Sequence, residues 1–558
     1  MHYVFVALDR VHEELGTGHV VRVSRILDSM CSQDSPFKDF TIQLFSNNLA
    51  AIQKFAGSYV EDVKTAQQLI STYIDYQKVD VIFFDCLDYF SDIYEECNSK
   101  NIISIGMDVS EQLSDSLSLC INPVIKNKNA YLNGPMYSLH YESSIKKFEN
   151  FQERKNHIFI CFGGLDFQDH LLKLIPCITE IPSIFQITIV VSQPKDLNLS
   201  ITLSKNITLL YKPVNFFELL NSASLALISG GILLQEAVYL GVPALIFPQY
   251  QHQYEAGIKM KDKGACIDVF PLGVDYRNVF SSFQSYLSNT SLLQQVSIEG
   301  RASDDGFGGK RILNALQIYE YLEWDSIFFK KNIYSITSKC YSDRIKSKLD
   351  PLIENQSIDL IYFLCPGGDQ KSIKNANSDG FTQVDQRLTY LIKASSYEHR
   401  IFQPAYSPIR SMDEDSKELA NLAKSIKWTT RYTNDKKFDP ILIEKFYEEW
   451  VIKSIAGKLD DAVYHIQEND EILGFISIKK MGINMGSIGL VGVAPSKQGR
   501  GVGIALTNFA VNLMLNTMSC ASVQVVTQSD NIGACKTYEK IGFHPSDYSL
   551  WFHKWIAQ

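Results

Sequence analysis

Short apolar runs alternate with longer amphipathic stretches through the first half of this chain, and no other feature narrows its fold more. Tyr3–Leu8, Val79–Phe84, Ile102–Ile105, Ile158–Phe162, Ile187–Val191 and Leu225–Ile228 have the length and composition of buried parallel strands. Between them lie segments of helical period, such as His19–Met30 and Leu233–Leu240. Parallel strands need crossover connections, and crossovers lay helices over both faces of the sheet. The alternation therefore predicts doubly wound α/β sheets. Two sets of runs are present, before and after the charged stretch Phe148–Lys155. They predict two domains, 1–150 and 151–318, that face each other across a ligand cleft.

The chain has 558 residues, too many for one core. A third region begins near Tyr321. It contains the strand Leu360–Leu364 and a polar segment, Pro366–Gly380, that reads as a loop. We take 319–405 as an α/β lobe in front of a final domain, 406–558. That domain should hold helices at Glu414–Ile426 and Pro440–Ser454 and strands at Ala462–Gln467, Ile472–Lys479 and Ser487–Val493. A helix Ile504–Met518, a strand Ser522–Thr527 and a helix Asn531–Ile541 should follow.

The net charge of -9 is the wrong sign for a general affinity for nucleic acid or anionic membrane. The 11 cysteines show no CxxC pair and no Cys/His spacing that suits zinc, so no metal is expected, and free thiols fit a reducing cytoplasm. Met1–Leu8 lacks a basic leader and reads as a strand, not a signal peptide.

The stretch from Val493 to Leu506 closes a strand and opens a helix, with Gln498, Gly499, Arg500, Gly501, Val502, Gly503 and Ile504 at the turn. Glycines there let the backbone turn tightly and present N–H groups beside the positive end of a helix dipole, which suits a pyrophosphate. Asn531 opens the next helix, Tyr538 lies two turns along it, and Gly542-Phe543 follows. This ordered set resembles the GNAT acetyltransferase superfamily. The resemblance implies acetyl-CoA as co-substrate, held by the turn, by extended backbone at Leu490, Val491 and Val493, and by Asn531. It also implies that Tyr538 protonates the departing thiolate, although a packed aromatic and a helix cap are the plain alternatives for Tyr538 and Asn531. The strand Ser487–Val493 carries no carboxylate or histidine, so no base is assigned. Across 322–558, Trp324–Phe329, Gly380-Phe381, Asp385-x-Arg387, Arg431-Tyr432, Tyr447–Trp450 and Phe552–Trp555 resemble N-acetyltransferases of the dTDP-fucosamine type, which act on a sugar 4-amine.

Near the amino terminus, Gly16 and Gly18 permit a close-approach loop and His19 falls at a helix start. The dipole there disfavours imidazolium and keeps the ring in the state of a general base. Further strand-end glycines lie at Gly163-Gly164 and at Ser229-Gly230-Gly231, ahead of Glu236 and Gln253. Such turns bind a diphosphate through amides alone, and a carboxylate one helical turn on suits ribose hydroxyls. With Gly134–Tyr137 and Asp305–Arg311, these residues resemble the GT-B nucleotide-sugar enzymes, and within them the UDP-2,4-diacetamido-2,4,6-trideoxy-β-L-altropyranose hydrolases of pseudaminic acid biosynthesis. That resemblance implies a UDP-activated amino sugar and metal-independent release of UDP, with His19 activating water. The segment Arg10–Glu14 departs from the family, and the family's acidic positions after Val79 are only partly matched, by Asp85 and Asp108.

The expected whole is α/β: two Rossmann-like domains in a GT-B arrangement, followed by a GNAT fold with an extra N-terminal α/β lobe. The expected function is two-step, 4-N-acetylation and then loss of UDP. A glycosyltransferase, or a non-catalytic nucleotide-sugar module, fused to the acetyltransferase is the alternative. A homodimer stays open.

Overall fold

A computed structural model describes residues 1–8, 18–32, 37, 40–46, 49–59, 68, 72, 74–85, 91–100, 102–108, 117–123, 132–140, 151, 154, 156–163, 166, 169–191, 205–338, 340–355, 358–398, 406–482 and 484–556. The expected site residues Gly16 and Gly164 lie outside them, as do the segment Arg10–Glu14 and most of Phe148–Lys155. The chain divides into two compact units, Met1–Leu316 and Gln317–Gln558.

The apolar runs of the first unit become parallel strands in two sheets. The first sheet holds β1 (His2–Ala7), β2 (Thr41–Ser46), β3 (Ser58–Tyr59), β4 (Val81–Asp85), β5 (Ile103–Met107), β6 (Leu119–Asn122) and β7 (Leu132–Asn133), in the order 3-2-1-4-5-6-7. The second holds β8 (His157–Cys161), β9 (Gln186–Val191), β10 (Ile207–Tyr211), β11 (Leu225–Ile228), β12 (Ala244–Ile246) and β13 (Asp268–Val269), in the order 10-9-8-11-12-13. Successive strand residues point to opposite faces, so an all-apolar run serves two cores at once. In the second sheet Ile158, Ile160, Leu225 and Leu227 enter one core, while Phe159, Cys161, Ala226 and Ile228 enter another. Each sheet reverses its winding at one point, between β1 and β4 and between β8 and β11. Ligands of doubly wound sheets sit at the carboxyl ends of the strands there. This is the GT-B plan, two Rossmann-type lobes in succession.

The Gly308–Gln317 helix returns from the second lobe to the first. A Cβ on Gly308 would fall 2.0 Å from the Ser138 carbonyl oxygen, so only glycine allows this approach. Arg311 pairs with Asp305 and donates to the Met136 carbonyl at 2.8 Å. The Tyr3 hydroxyl donates to Leu316 O at 3.2 Å.

The second unit is built on one sheet of β14 (Tyr319–Tyr321), β15 (Ile333–Ile336), β16 (Leu360–Pro366), β17 (Thr382–Lys393), β18 (Ile409–Arg410), β19 (Ala462–Glu468), β20 (Glu471–Met481), β21 (Met485–Val493), β22 (Ser522–Gln528) and β23 (His544–Trp555). Their order is 14-15-16-23-17-22-21-20-19-18. One face packs on the helices Val502–Asn512 and Ile532–Ile541, through Val502, Leu506, Tyr538 and Ile541. The other packs on Ser416–Ser425 and Pro440–Ile455, through Leu419, Ala423, Phe446, Tyr447 and Val451.

Two local expectations change. The polar segment Pro366–Gly380 contains a helix, Gln370–Ser378, because Asp369 caps it by accepting from Ser372 N at 3.0 Å while Ser372 and Ala376 are buried. Small polar residues on the buried face hid its period. The expected helix Ile504–Met518 starts earlier, at Val502, and passes into a π-turn over Leu513–Thr517.

Candidate functional sites

In the first unit, β1 leads into the Gly18–Met30 helix, which places His19 at its start, and β4 ends on Asp85. These are the two strands at the switch point. His19 Nδ1 lies 2.6 Å from Asp85 Oδ1. Arg22, one turn along the helix, donates from Nε to Asp85 Oδ2 at 2.9 Å and from Nη2 to Oδ1 at 2.6 Å. Its Nη1 reaches Asp108 Oδ2 at 3.1 Å. Burial alone would raise the pKa of Asp85, but Arg22 and His19 outweigh it and hold the carboxyl below its ordinary value. Asp108 follows β5 with a φ of 57°, a conformation aspartate tolerates better than most residues. The carboxylate that orients His19 was present in the sequence only as an unassigned acid. Its role became visible when β1 and β4 paired.

Across the crevice, the turns after β8 and β11 meet the start of the Gln251–Asp262 helix. Gly163 has a φ of 88°, and a Cβ there would touch Ser229 Oγ at 3.4 Å. A Cβ on Gly230 would lie 2.7 Å from Gln253 O, and one on Gly231 would lie 3.5 Å from Gln253 Nε2. The structure therefore gathers Gly163, Ser229, Gly230, Gly231 and Gln253 into one cradle. Gly231 precedes the Ile232–Leu240 helix, whose start no side chain caps, so its first amides face the cradle unsatisfied by the chain's own side chains. His252 is exposed, yet the loss of solvent on its protein side lowers its pKa, and Asp108, His19 and Arg22 act on it electrostatically. The cradle and the His19 cluster thus border the same crevice.

Glu236 sits differently from the other candidates. It is 1% exposed, with Arg25 Nη1 at 2.8 Å from Oε1 and His140 Nδ1 at 3.2 Å from Oε2. His140 also reaches Asp304 Oδ2 at 2.7 Å and stacks on Tyr239 at 4.1 Å. Burial opposes its charge, but Asp304 and Glu236 prevail and raise its pKa to about 10. No sequence signal pointed to Arg25 or His140.

In the second unit the decisive feature is a bulge. Ile476 pairs with Val491 and Ile478 with Ile488, so Gly489 and Leu490 together oppose Ser477. The Ser477 hydroxyl accepts the Leu490 N–H at 2.8 Å. Pairing of β21 with β22 stops at Ile488–Val525, and the two strands part beyond it. Ala494 N–H donates to Leu473 O at 2.9 Å, on the β20 side. Backbone groups alternate sides along a strand, so the N–H groups of Val491 and Val493 face the gap, and that of Leu490 is already engaged.

The parted strand ends in a turn with Gly499 at φ 78° and Gly501 at φ 83°, and Gly501 is the uncapped start of the Val502–Asn512 helix. A Cβ on Gly499 would meet nothing within 4 Å, and Gly503 lies against Val493. Gln498 is extended, and Arg500 pairs with Glu468 at 3.5 Å. The next helix, Ile532–Ile541, starts at Asn531, whose side chain accepts from Ala534 N at 3.3 Å. Tyr538 is 5% exposed, and burial, with a smaller contribution from Cys535, pushes its hydroxyl well above the ordinary tyrosine pKa. It is therefore fully protonated at neutral pH and able to give a proton. An open strand gap, a turn of left-handed glycines and a buried phenol at one edge fit a long, pyrophosphate-bearing thioester.

Residues 425–543 match the acetyltransferase (GNAT) family. The chain is 23% identical over 329 residues to the spore coat polysaccharide biosynthesis protein SpsG of Bacillus subtilis (strain 168), covering 55% of this chain and 96% of that protein. It is 35% identical over 112 residues to the mycothiol acetyltransferase of Mycobacterium sp. (strain JLS), covering 19% of this chain and 35% of that relative. Among solved structures, Acinetobacter baumannii MurG aligns with 57% of this chain and 99% of its own, at 14% identity and a TM-score of 0.41. The chain thus joins a first unit of two doubly wound sheets, similar to SpsG, to a GNAT acetyltransferase domain. Among the described residues, no helix is long and apolar enough to cross a membrane.

Proposed function

We propose that the protein acetylates the 4-amine of UDP-4-amino-4,6-dideoxy-N-acetyl-β-L-altrosamine and then hydrolyses UDP from the product, giving 2,4-diacetamido-2,4,6-trideoxy-L-altrose for pseudaminic acid synthesis. The observation that carries the reading is the coexistence of a histidine–carboxylate pair at a switch point with an acetyl-CoA cleft in the same chain. A relative named for polysaccharide biosynthesis, matched over nearly its whole length, supports a sugar substrate for the first unit. The four-part division at 150, 318 and 405 belongs to the same reading.

In the first unit, Asp85 accepts the Nδ1 proton of His19 and leaves Nε2 as the basic nitrogen. His19 takes a proton from water, whose oxygen bonds to the anomeric carbon while UDP leaves with the electron pair. The amides around Gly163, Gly230 and Gly231 bind the diphosphate. Glu236 and Gln253 belong to the same wall. Glu236 meets ribose only after leaving His140 or Arg25.

In the second unit, acetyl-CoA supplies an activated thioester. Gln498–Ile504 hold its pyrophosphate, Val491 and Val493 its arm, and Asn531 contributes a polar side chain. Tyr538 returns the proton that the thiolate needs.

The test is mass spectrometry of products from UDP-4-amino sugars with acetyl-CoA, alongside UDP release in water with no acceptor. Acetylated free sugar plus UDP is expected. An acetylated nucleotide sugar that never releases UDP without an added acceptor would replace the hydrolase by a glycosyltransferase.

A further inference from the structure

We infer that Asp385 is the general base of acetyl transfer, receiving the proton that the acceptor's ammonium group must lose. The inference deepens the amine-acetylating reading of the second unit and rests on it.

Its position comes from strand register. Asp385 lies two residues before Arg387 on β17, and Arg387 is paired with Gln528, the last residue of β22. β22 is the strand from which β21 departs, so Asp385 stands beside the mouth of the gap. Leu388, Tyr390 and Ile392 pack on the core under the acetyl-CoA helices. Asp385 and Arg387 alternate with them and face the other way, where Leu490 of the bulge, Tyr362 and Tyr447 form the opposite core.

The walls of this side suit a sugar. Arg431 lies 3.8 Å from the ring centre of Trp551, the register partner of Asp385, and 4.4 Å from that of Tyr362. Trp428 stacks on Tyr447 at 4.5 Å. The motifs Asp385-x-Arg387, Arg431-Tyr432 and Tyr447–Trp450, dispersed in the sequence, meet here.

Asp385 itself is built to receive a cation. It is 6% exposed, and both the Gln386 N–H and the Gln528 side chain bond to it, while its Oδ2 has no hydrogen-bond partner. A buried carboxylate oxygen without a donor is costly, and an incoming ammonium supplies what is missing. The charged groups acting on Asp385 come from three sides: Asp530 from the turn after β22, Arg431 from the Arg431–Asn434 helix, and Arg387 from its own strand. Tyr447 faces it from the Pro440–Ile455 helix. Burial, then the like charge of Asp530, raises its pKa to about 6 against Arg431 and Gln528, close to the value that serves a base at neutral pH.

Asp385 takes a proton from the ammonium, and the freed amine pair forms a bond to the thioester carbon. The carbon–sulfur bond breaks and the thiolate takes the proton of Tyr538. Asp385, having passed its first proton to solvent, takes the second proton from the nitrogen as the amide forms, and solvent reprotonates Tyr538, so that one proton is released per turnover.

The experiment compares wild type, Asp385→Asn and Asp385→Glu with a UDP-4-amino-4,6-dideoxy sugar. Asp385→Asn should lose about 10²- to 10³-fold in kcat/KM and the acidic limb near pH 6, with acetyl-CoA affinity unchanged by calorimetry. Asp385→Glu should restore part of the rate and the limb. Without acetyl-CoA, the amino sugar should bind Asp385→Asn about tenfold more weakly than wild type, and the 4-hydroxy analogue should not discriminate. Retention of the wild-type rate and limb in Asp385→Asn would overturn the base. Absence of amine acetylation by the wild type would overturn the reading beneath it instead.

Discussion

The two candidate sites of this chain handle charge in opposite ways. Around His19 every charged side chain has a partner: Asp85 holds His19 and Arg22, and Arg22 also holds Asp108. Around Asp385 the carboxylate keeps one oxygen without a donor among aromatic walls. A saturated network fixes one geometry and one tautomer, which suits a step whose only mobile partner is water. An unsaturated carboxylate suits a site that must admit a cation and let it leave as a neutral amide. On the proposed reading, the chain pre-forms one base and leaves the other to be completed by substrate.

The sharpest break of this comparison removes His19. His19→Ala should lower UDP release about 10³-fold and leave acetyl transfer unchanged, read by UDP-coupled and thiol-coupled assays on one preparation. If both activities survive, His19 is not the base that activates water. Asp85→Asn should cost less than His19→Ala, because Arg22 remains to brace the ring.

Much of this contrast was legible before any coordinates. All-apolar runs announce parallel strands because each must fill two cores, and glycine turns at strand ends announce amide cradles. The gap between β21 and β22 was not legible, since a bulge at Gly489–Leu490 is set by Ser477 on a neighbouring strand and by a pairing that ends. Arg25 and His140 were hidden outright, and Asp385 stood in a motif without a role. Their meaning lies in partners 46 to 211 residues away, as in Arg25 with Glu236 or Asp385 with Arg431 and Gln528. Local pattern carries no such information. The Gln370–Ser378 helix shows the same limit at short range, because its buried positions are Ser372 and Ala376.

A second test works on the leaving group. Tyr538→Phe keeps the packed ring and removes the proton, so kcat should fall about 10²-fold while the acetyl-CoA affinity holds. An unchanged kcat would make Tyr538 a packing residue. A smaller effect is expected at Gly501, whose φ of 83° any L side chain adopts only with strain. Gly501→Ala should weaken acetyl-CoA binding about tenfold, measured by calorimetry, and leave UDP release untouched.

The mildest prediction extends the comparison to the buried cluster that joins the two lobes of the first unit, Arg25 and His140 against Glu236 and Asp304. Each of its charged groups has an ion-pair partner, as in the His19 network, yet its imidazole is set between two carboxylates and stacked on Tyr239. The folded pKa of His140 is raised to about 10, above an unfolded value of about 6.5. A raised pKa means that the folded state holds the proton more tightly. The stability His140 contributes is therefore fully present below about pH 6.5 and declines as the pH rises towards about 10. His140→Phe keeps the stack on Tyr239 and removes the charge. The gap in melting temperature between wild type and variant should be widest near pH 6 and should narrow by a few degrees on the alkaline side. A constant gap across that range would mean that His140 is neutral in the fold. Glu236 would then lean on Arg25 alone and Asp304 would lose its cation, and the contrast in how the sites handle charge would have to be redrawn inside the first unit itself.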